Sequence, residues 1–176
     1  INWNYKSRYY LTATGRYDGA SNFAANNKWA FFPSAAAKWN IAAEDWMKNV
    51  KWIDDLSLRF SAGISGNDAI SAYASLANMS STTGGYLFDG SQPVAFYRSR
   101  LDSPDLTWEK QTTIDAGVDF RLWDRVYGSV EYFYRRTDDM LFQKSLAPST
   151  GRPYNWENLG AMSNQGVEFE LNVDIL

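Results

Sequence analysis

Apolar and polar residues alternate with a period of two along most of this 176-residue chain. In 56–66 the even positions are Leu56, Leu58, Phe60, Ala62 and Ile64, with Ser57, Arg59, Ser61, Gly63 and Ser65 between them. Successive side chains of an extended strand point to opposite faces, so this run predicts a strand with one apolar and one polar face. The same reading covers 9–18, 29–41, 106–122, 126–137 and 166–175. Six strands are predicted, and at helical spacing there is only one turn around 44–50.

Strand length and aromatic placement narrow the class. Runs of ten or more residues exceed the five or six of an ordinary globular strand. Ten residues at roughly 3.3 Å each, tilted about 45°, rise about 23 Å, close to the apolar band of an outer-membrane barrel. Tyr9, Tyr17, Trp29, Trp39, Trp108, Tyr132 and Tyr134 lie towards strand ends, on or beside the apolar face. Amphipathic rings in that position are what a membrane–water interface favours. The connections alternate as well: 17–28, 67–105 and 138–157 are long, while 42–55 and especially 123–125 are shorter. The segment 71–97 is rich in small residues and reads as an irregular loop with room for a short hairpin. The pattern predicts an all-β antiparallel fold, either a transmembrane β-barrel segment or a soluble secreted carbohydrate-binding β-sandwich.

Composition removes most chemistry. There is no Cys and no His, which excludes disulfides, thiol nucleophiles, Cys/His zinc sites and imidazole acid–base schemes. Lys and Arg total 17 against 20 Asp and Glu, with no basic run, so nucleic-acid binding is not expected. The adjacent carboxylates Asp54–Asp55 and Asp138–Asp139 point opposite ways in extended chain and converge poorly on one metal ion. No paired-carboxylate hydrolase site is visible. Pro33 within a strand implies a bulge or a locally unpaired position. Aromatics reach 16%, yet mean hydropathy is −0.43, and alternation reconciles the two by averaging an apolar face with a polar one. No apolar run approaches the ~18 residues of a membrane-spanning helix. Nothing at 1–6 reads as a signal peptide, and both ends read as cut, the second within a strand.

Several ordered motifs carry a family resemblance. Arg16-Tyr17-Asp18-Gly19-Ala20-Ser21-Asn22-Phe23 is followed by Trp29-Ala30-Phe31-Phe32-Pro33-Ser34 and Trp39. Ser65-Gly66-Asn67 comes next, then Pro104-Asp105-Leu106-Thr107-Trp108-Glu109. Tyr132-Phe133-Tyr134, Thr137-Asp138-Asp139-Met140-Leu141 and Asn158-Leu159-Gly160-Ala161-Met162-Ser163-Asn164-Gln165-Gly166-Val167-Glu168 complete the series. In this order the chain resembles the SusC/RagA family of TonB-dependent outer-membrane transporters, in the later part of the barrel. Ala20 and Ser103 depart from the Ser and Asn usual at those motif positions.

The resemblance implies about six strands of a 22-stranded barrel in the outer membrane of a Gram-negative, Bacteroidota-type cell. The plug domain, TonB box and barrel-closing strands would lie outside 1–176. It implies import of oligosaccharides or peptides, a SusD-like surface lipoprotein as lid, the TonB complex acting through the plug, and outer-membrane lipid around the wall. No enzymatic activity, cofactor or metal is implied. The candidate substrate contacts are the loop residues Tyr86, Phe88, Phe96, Tyr97, Arg98, Tyr154 and Trp156, whose rings can stack on sugars or grip peptide side chains. Asp89, Gln92, Arg100 and Arg152 stand beside them as hydrogen-bonding groups.

Overall fold

A computed structural model describes residues 1–83, 87–152 and 154–175. Among these residues the strands are β1 (Asn2–Tyr5), β2 (Tyr9–Gly19), β3 (Trp29–Asn40), β4 (Ile53–Asn67), β5 (Asn78–Thr83) and β6 (Val94–Arg100). They continue with β7 (Glu109–Leu122), β8 (Val126–Asp138), β9 (Leu141–Ser145), β10 (Tyr154–Asn158) and β11 (Ala161–Val173). Seven form one sheet in the order β1-β2-β3-β4-β7-β8-β11, and every neighbouring pair is antiparallel. The hairpins β5–β6 and β9–β10 stand apart from it. With them set aside, sheet order follows chain order, the up-and-down arrangement that antiparallel neighbours with direct connections produce.

Register turns six amphipathic strands into one amphipathic sheet. Leu58 stands between Trp39 and Val118, and Phe60 between Ala37 and Ala116. Tyr132 stands between Ala116 and Val167, and Val130 between Val118 and Phe169. A slip of one residue would send every one of these side chains to the other face. Leu58, Phe60, Val130, Val167, Phe169 and Leu171 are all solvent-exposed in the isolated chain. Among the described residues no second sheet packs over this face. A sandwich core needs such a layer, so the β-sandwich alternative is set aside.

The connections sort by end. One end carries the tight turns at Lys6–Ser7 and Trp123–Asp124, whose residues all have positive φ between 52° and 56°. Each is closed by a backbone bond, Arg8 N–H to Tyr5 O at 3.0 Å and Arg125 N–H to Leu122 O at 3.1 Å. Two left-handed central residues match the right-handed twist of the flanking strands. The connection 41–52 lies at the same end and holds a single 3₁₀ turn, Asp45–Met47, where the sequence predicts a helical turn. The opposite end carries 20–28, 68–108 with β5–β6, and 139–160 with β9–β10.

Three details differ from expectation. β1 and the β9–β10 hairpin have no counterpart in the predicted strands, because four or five residues are too few to display alternation. β7 begins at Glu109 rather than at 106. Trp108 consequently does not join the aromatics at the edge of the apolar face. It is 5% exposed and belongs to a buried cluster with Phe23, Phe32, Ala74 and Leu106.

That cluster explains how the long connections are held. The β3–β4 ladder ends at Ser34–Gly63, whereas β2–β3 pairing continues to Trp29. Pro33, which has no N–H, lies just past the last β3–β4 rung, in keeping with its expected locally unpaired position. In the space beyond, Phe32 and Trp108 meet edge to face with ring centroids 5.4 Å apart. A Cβ at Gly66 would come within 2.1 Å of the Phe32 ring and 2.9 Å of the Trp108 ring. Phe23 packs on Trp108 at 5.1 Å, and Trp108 Nε1–H donates to Lys28 O at 3.1 Å. Asn22 Nδ2–H donates to Asp68 O at 2.8 Å, and Ser103 Oγ–H to Trp156 O at 2.8 Å. The connections 20–28, 68–108 and 139–160 therefore share one small core.

Candidate functional site

Aromatic rings mark both ends of the apolar face. At the long-connection end Trp29 lies across Gly19, where a Cβ would come within 2.7 Å of its ring, and stacks on Tyr17 at 5.3 Å. At the other end Tyr9 and Trp39 are cross-strand partners with centroids 6.2 Å apart. Trp3–Tyr5 and Trp52–Trp123, each pair 5.8 Å apart, add rings at that end that were not among the predicted interface residues. Their neighbourhood depends on turns and on β1, which no periodicity announced. Tyr132 and Tyr134 share the apolar face of β8, opposite Ala116 and Ile114.

The rings at the short-turn end have a polar anchor. Glu44 Oε1 accepts from Tyr9 Oη–H at 2.6 Å and from Trp39 Nε1–H at 3.0 Å, while Oε2 accepts from Arg8 at 3.0 Å. These hydrogen bonds, with the Arg8 charge behind them, hold the Glu44 carboxyl below its ordinary range. Asp45 is lowered to about 2, first by its hydrogen bond from Lys48 and then by Arg8. The connection 41–52 is thus clasped to the strand ends.

The polar face is knitted by charge. Arg59 on β4 donates to both oxygens of Asp119 on β7, at 2.7 and 2.9 Å, and reaches Glu131 on β8 at 3.3 Å. Gly117 lies between Arg59 and Glu131 in the register and leaves the space the guanidinium crosses. Ser61 Oγ–H donates to Asp115 at 3.1 Å in the next rung pair. Asp138 accepts from Arg136, and Asp54 accepts from the Asp124 backbone N–H, so these carboxylates serve turns and strand ends.

The loop candidates separate into two groups. Tyr86 lies outside the described residues. Phe88 sits in a tight turn bridged to Ser91 and is exposed. Phe96 is 72% exposed and shares one face of β6 with Arg98, opposite Ser81 and Met79, while Tyr97 points to the other face. Tyr154 and Trp156 project from one face of β10 and line a cavity of about 360 Å³ with Arg100, Arg152, Gln143 and Asn155. Arg152 also lies 4.9 Å over the ring of Tyr97, which joins that residue to the group. Phe88, Phe96 and Arg98 are not part of it. Asn155 and Gln143 were not foreseen, and a lone amide in a loop offers no sequence signal. The group offers aromatic faces, cationic donors and amides, which suits recognition rather than covalent chemistry.

A single sheet of long antiparallel strands, apolar on one face, charged on the other and looped unequally at its ends, is a section of barrel wall. The family model described as "TonB dependent receptor-like, beta-barrel" matches residues 1–175, and the chain belongs to that family. It is 37% identical over 175 residues to TonB-dependent receptor P26 of Formosa agariphila, covering 98% of this chain and 17% of that protein. It is 35% identical over 179 residues to TonB-dependent receptor SusC of Bacteroides thetaiotaomicron, covering 98% of this chain and 18% of that one. Among solved structures it is similar to the RagAB peptide importer in its closed-closed state, with TM-score 0.88 and 29% identity over 99% of this chain and 19% of the other. In the open-open state of the same importer the TM-score is 0.82. The resemblance to SusC and RagA therefore holds, and the chain spans less than a fifth of the length of these relatives.

Proposed function

We propose that this chain is part of the wall and outer vestibule of an outer-membrane TonB-dependent importer, in a Gram-negative cell of the Bacteroidota. Its apolar face meets lipid, its polar face lines the lumen, and its long connections lie outside the cell. The plug domain, the TonB box and the strands that close the barrel belong to the rest of the protein. The cargo is an oligosaccharide or a peptide, a SusD-like surface lipoprotein covers the loops as a lid, and TonB acts through the plug. The wall performs no covalent step. It supplies solvated charge along the passage and binding groups at its mouth.

The observation that carries this reading is the continuous apolar face, with rings at both ends, on a chain of this family. Kinship to the TonB-dependent receptor SusC supports the dependence on TonB, and likeness to the RagAB peptide importer supports an import role. The test is nutrient-limited growth of the source cell with the full-length gene deleted, and of the same cell with TonB inactivated. Loss of growth on one glycan or peptide source in both strains is expected. Growth unaffected by either change on every such source would overturn the reading.

A further inference from the structure

The cavity beside β10 brings together polar groups without a charged or hydrogen-bonding counterpart. Arg100 and Arg152 both line it, and neither forms an ion pair with a carboxylate among the described residues. Arg100 is braced by donating from Nε to Leu76 O at 2.9 Å and from Nη2 to Tyr73 O at 2.7 Å. These bonds orient the guanidinium without neutralising it. Arg152 rests on the Tyr97 ring, which positions its charge and likewise leaves it uncompensated. Independently, Asn155 is 9% exposed, its Nδ2–H donates to Asp102 O at 3.3 Å, and its Oδ1 has no partner. A buried acceptor without a donor costs free energy, so a donor that reaches Asn155 Oδ1 is favoured.

We propose that this cavity is a subsite for an oligosaccharide bearing an acidic group, a carboxylate or a sulfate ester. The anion lies between Arg100 and Arg152, and a sugar hydroxyl donates to Asn155 Oδ1. The ring of Tyr154, exposed beside them, offers a stacking face, and Trp156 backs it against the shared core. Gln143 and Ser99, which also line the cavity, can each donate and accept, as a ligand rich in hydroxyls requires. An extended peptide would dock by adding to a strand edge. One main-chain acceptor of β10 is already taken, because Ser103 Oγ–H donates to Trp156 O at 2.8 Å, and the Asn158 side chain packs the Thr107 backbone alongside by bonding its N–H and C=O at 2.8 and 2.9 Å. The saccharide is therefore the occupant the geometry favours.

This inference rests on the importer reading and refines its cargo. The test uses the full-length transporter purified in detergent and isothermal titration with four probes of equal length. These are a tetragalacturonate, a sulfated galactan tetramer, neutral cellotetraose and tetraglutamate. One or both acidic saccharides should bind more tightly than cellotetraose, with an affinity that falls as salt rises. Arg152→Gln should weaken that binding about tenfold, the loss expected for one charge-assisted hydrogen bond, and leave cellotetraose unaffected. Asn155→Leu, which keeps the charges, should weaken all saccharide binding. Equal binding of acidic and neutral saccharides, preference for tetraglutamate, binding of no probe, or indifference to Arg152→Gln would each overturn the subsite. In those cases TonB-dependent growth would be retained. Loss of the importer reading would show instead as TonB-independent growth.

Discussion

Glu44 shows how much one side chain can organise at the edge of a sheet. Its two oxygens gather a phenol, an indole and a guanidinium from the ends of β2 and β3 and from the turn before them. Both Glu44 and Asp45 titrate below their unfolded values of 4.5 and 3.8. A carboxyl lowered on folding adds stability above its unfolded pKa, and that contribution is lost as pH falls through the folded one. The melting temperature of the full-length protein in detergent should fall on acidification from pH 5 to pH 3, and Glu44→Gln should flatten that fall. Identical slopes for the two proteins would show that the clasp carries none of it. Gly66 is the opposite case, a residue that matters for what it lacks. Gly66→Ala drives a methyl into Phe32 and Trp108 and should cost about 1–3 kcal/mol, the usual penalty for overpacking. Trp108→Ala should cost about 3–5 kcal/mol. In both variants hydrogen exchange should accelerate first at 20–28 and 103–108, the backbone that this core holds.

Among elements, legibility tracked length. β2, β3, β4, β7, β8 and β11 run for 11 to 15 residues, so period-two patterning rises above chance in each. The predicted ends fall within a few residues of those observed except at β11, which starts at Ala161 rather than at 166 because the polar stretch Ser163–Gln165 hides the alternation. β1, β9 and β10 are too short for that, although each pairs with its neighbour in sequence, β1 with β2 and β9 with β10. Trp108 failed for a related reason: it keeps the parity of the strand that follows, but the chain turns inward before the ladder begins. The tight turns are a further case, since Lys6–Ser7 and Trp123–Asp124 adopt left-handed backbone without Gly or Asn to advertise it. Strain there is offset by Trp52 packing on Trp123 and by the bond from Asp124 N–H to Asp54. Asp124→Gly keeps that backbone bond and removes the Cβ conflict of the left-handed conformation. It should raise unfolding stability by about 1 kcal/mol, read as a later midpoint in chemical denaturation. An earlier midpoint would mean that the Asp124–Arg121 pair, 3.3 Å apart, outweighs the backbone term.

For the molecule as a whole, a wall segment is built to be incomplete. Its sheet leaves β1 and β11 as open edges and an apolar face uncovered, and the remainder of a barrel and a bilayer are what would answer both. Fold and family were legible because alternation and motif order are properties of the chain itself. The cavity beside β10 was legible only in part. Tyr154 and Trp156 could be named as exposed loop aromatics, whereas Asn155 and Gln143 became relevant only once β9 and β10 had paired. The central claim is that one face of this sheet meets lipid and the other meets water. The 176 residues contain no Cys, so single cysteines can be placed at will along β11. In the full-length transporter in lipid bilayers, with any other cysteines replaced, nitroxide labels at 167, 169 and 171 should be accessible to oxygen and shielded from a water-soluble nickel chelate. Labels at 168, 170 and 172 should show the reverse. Accessibility that does not alternate along β11, or that alternates in the opposite phase, would contradict the account.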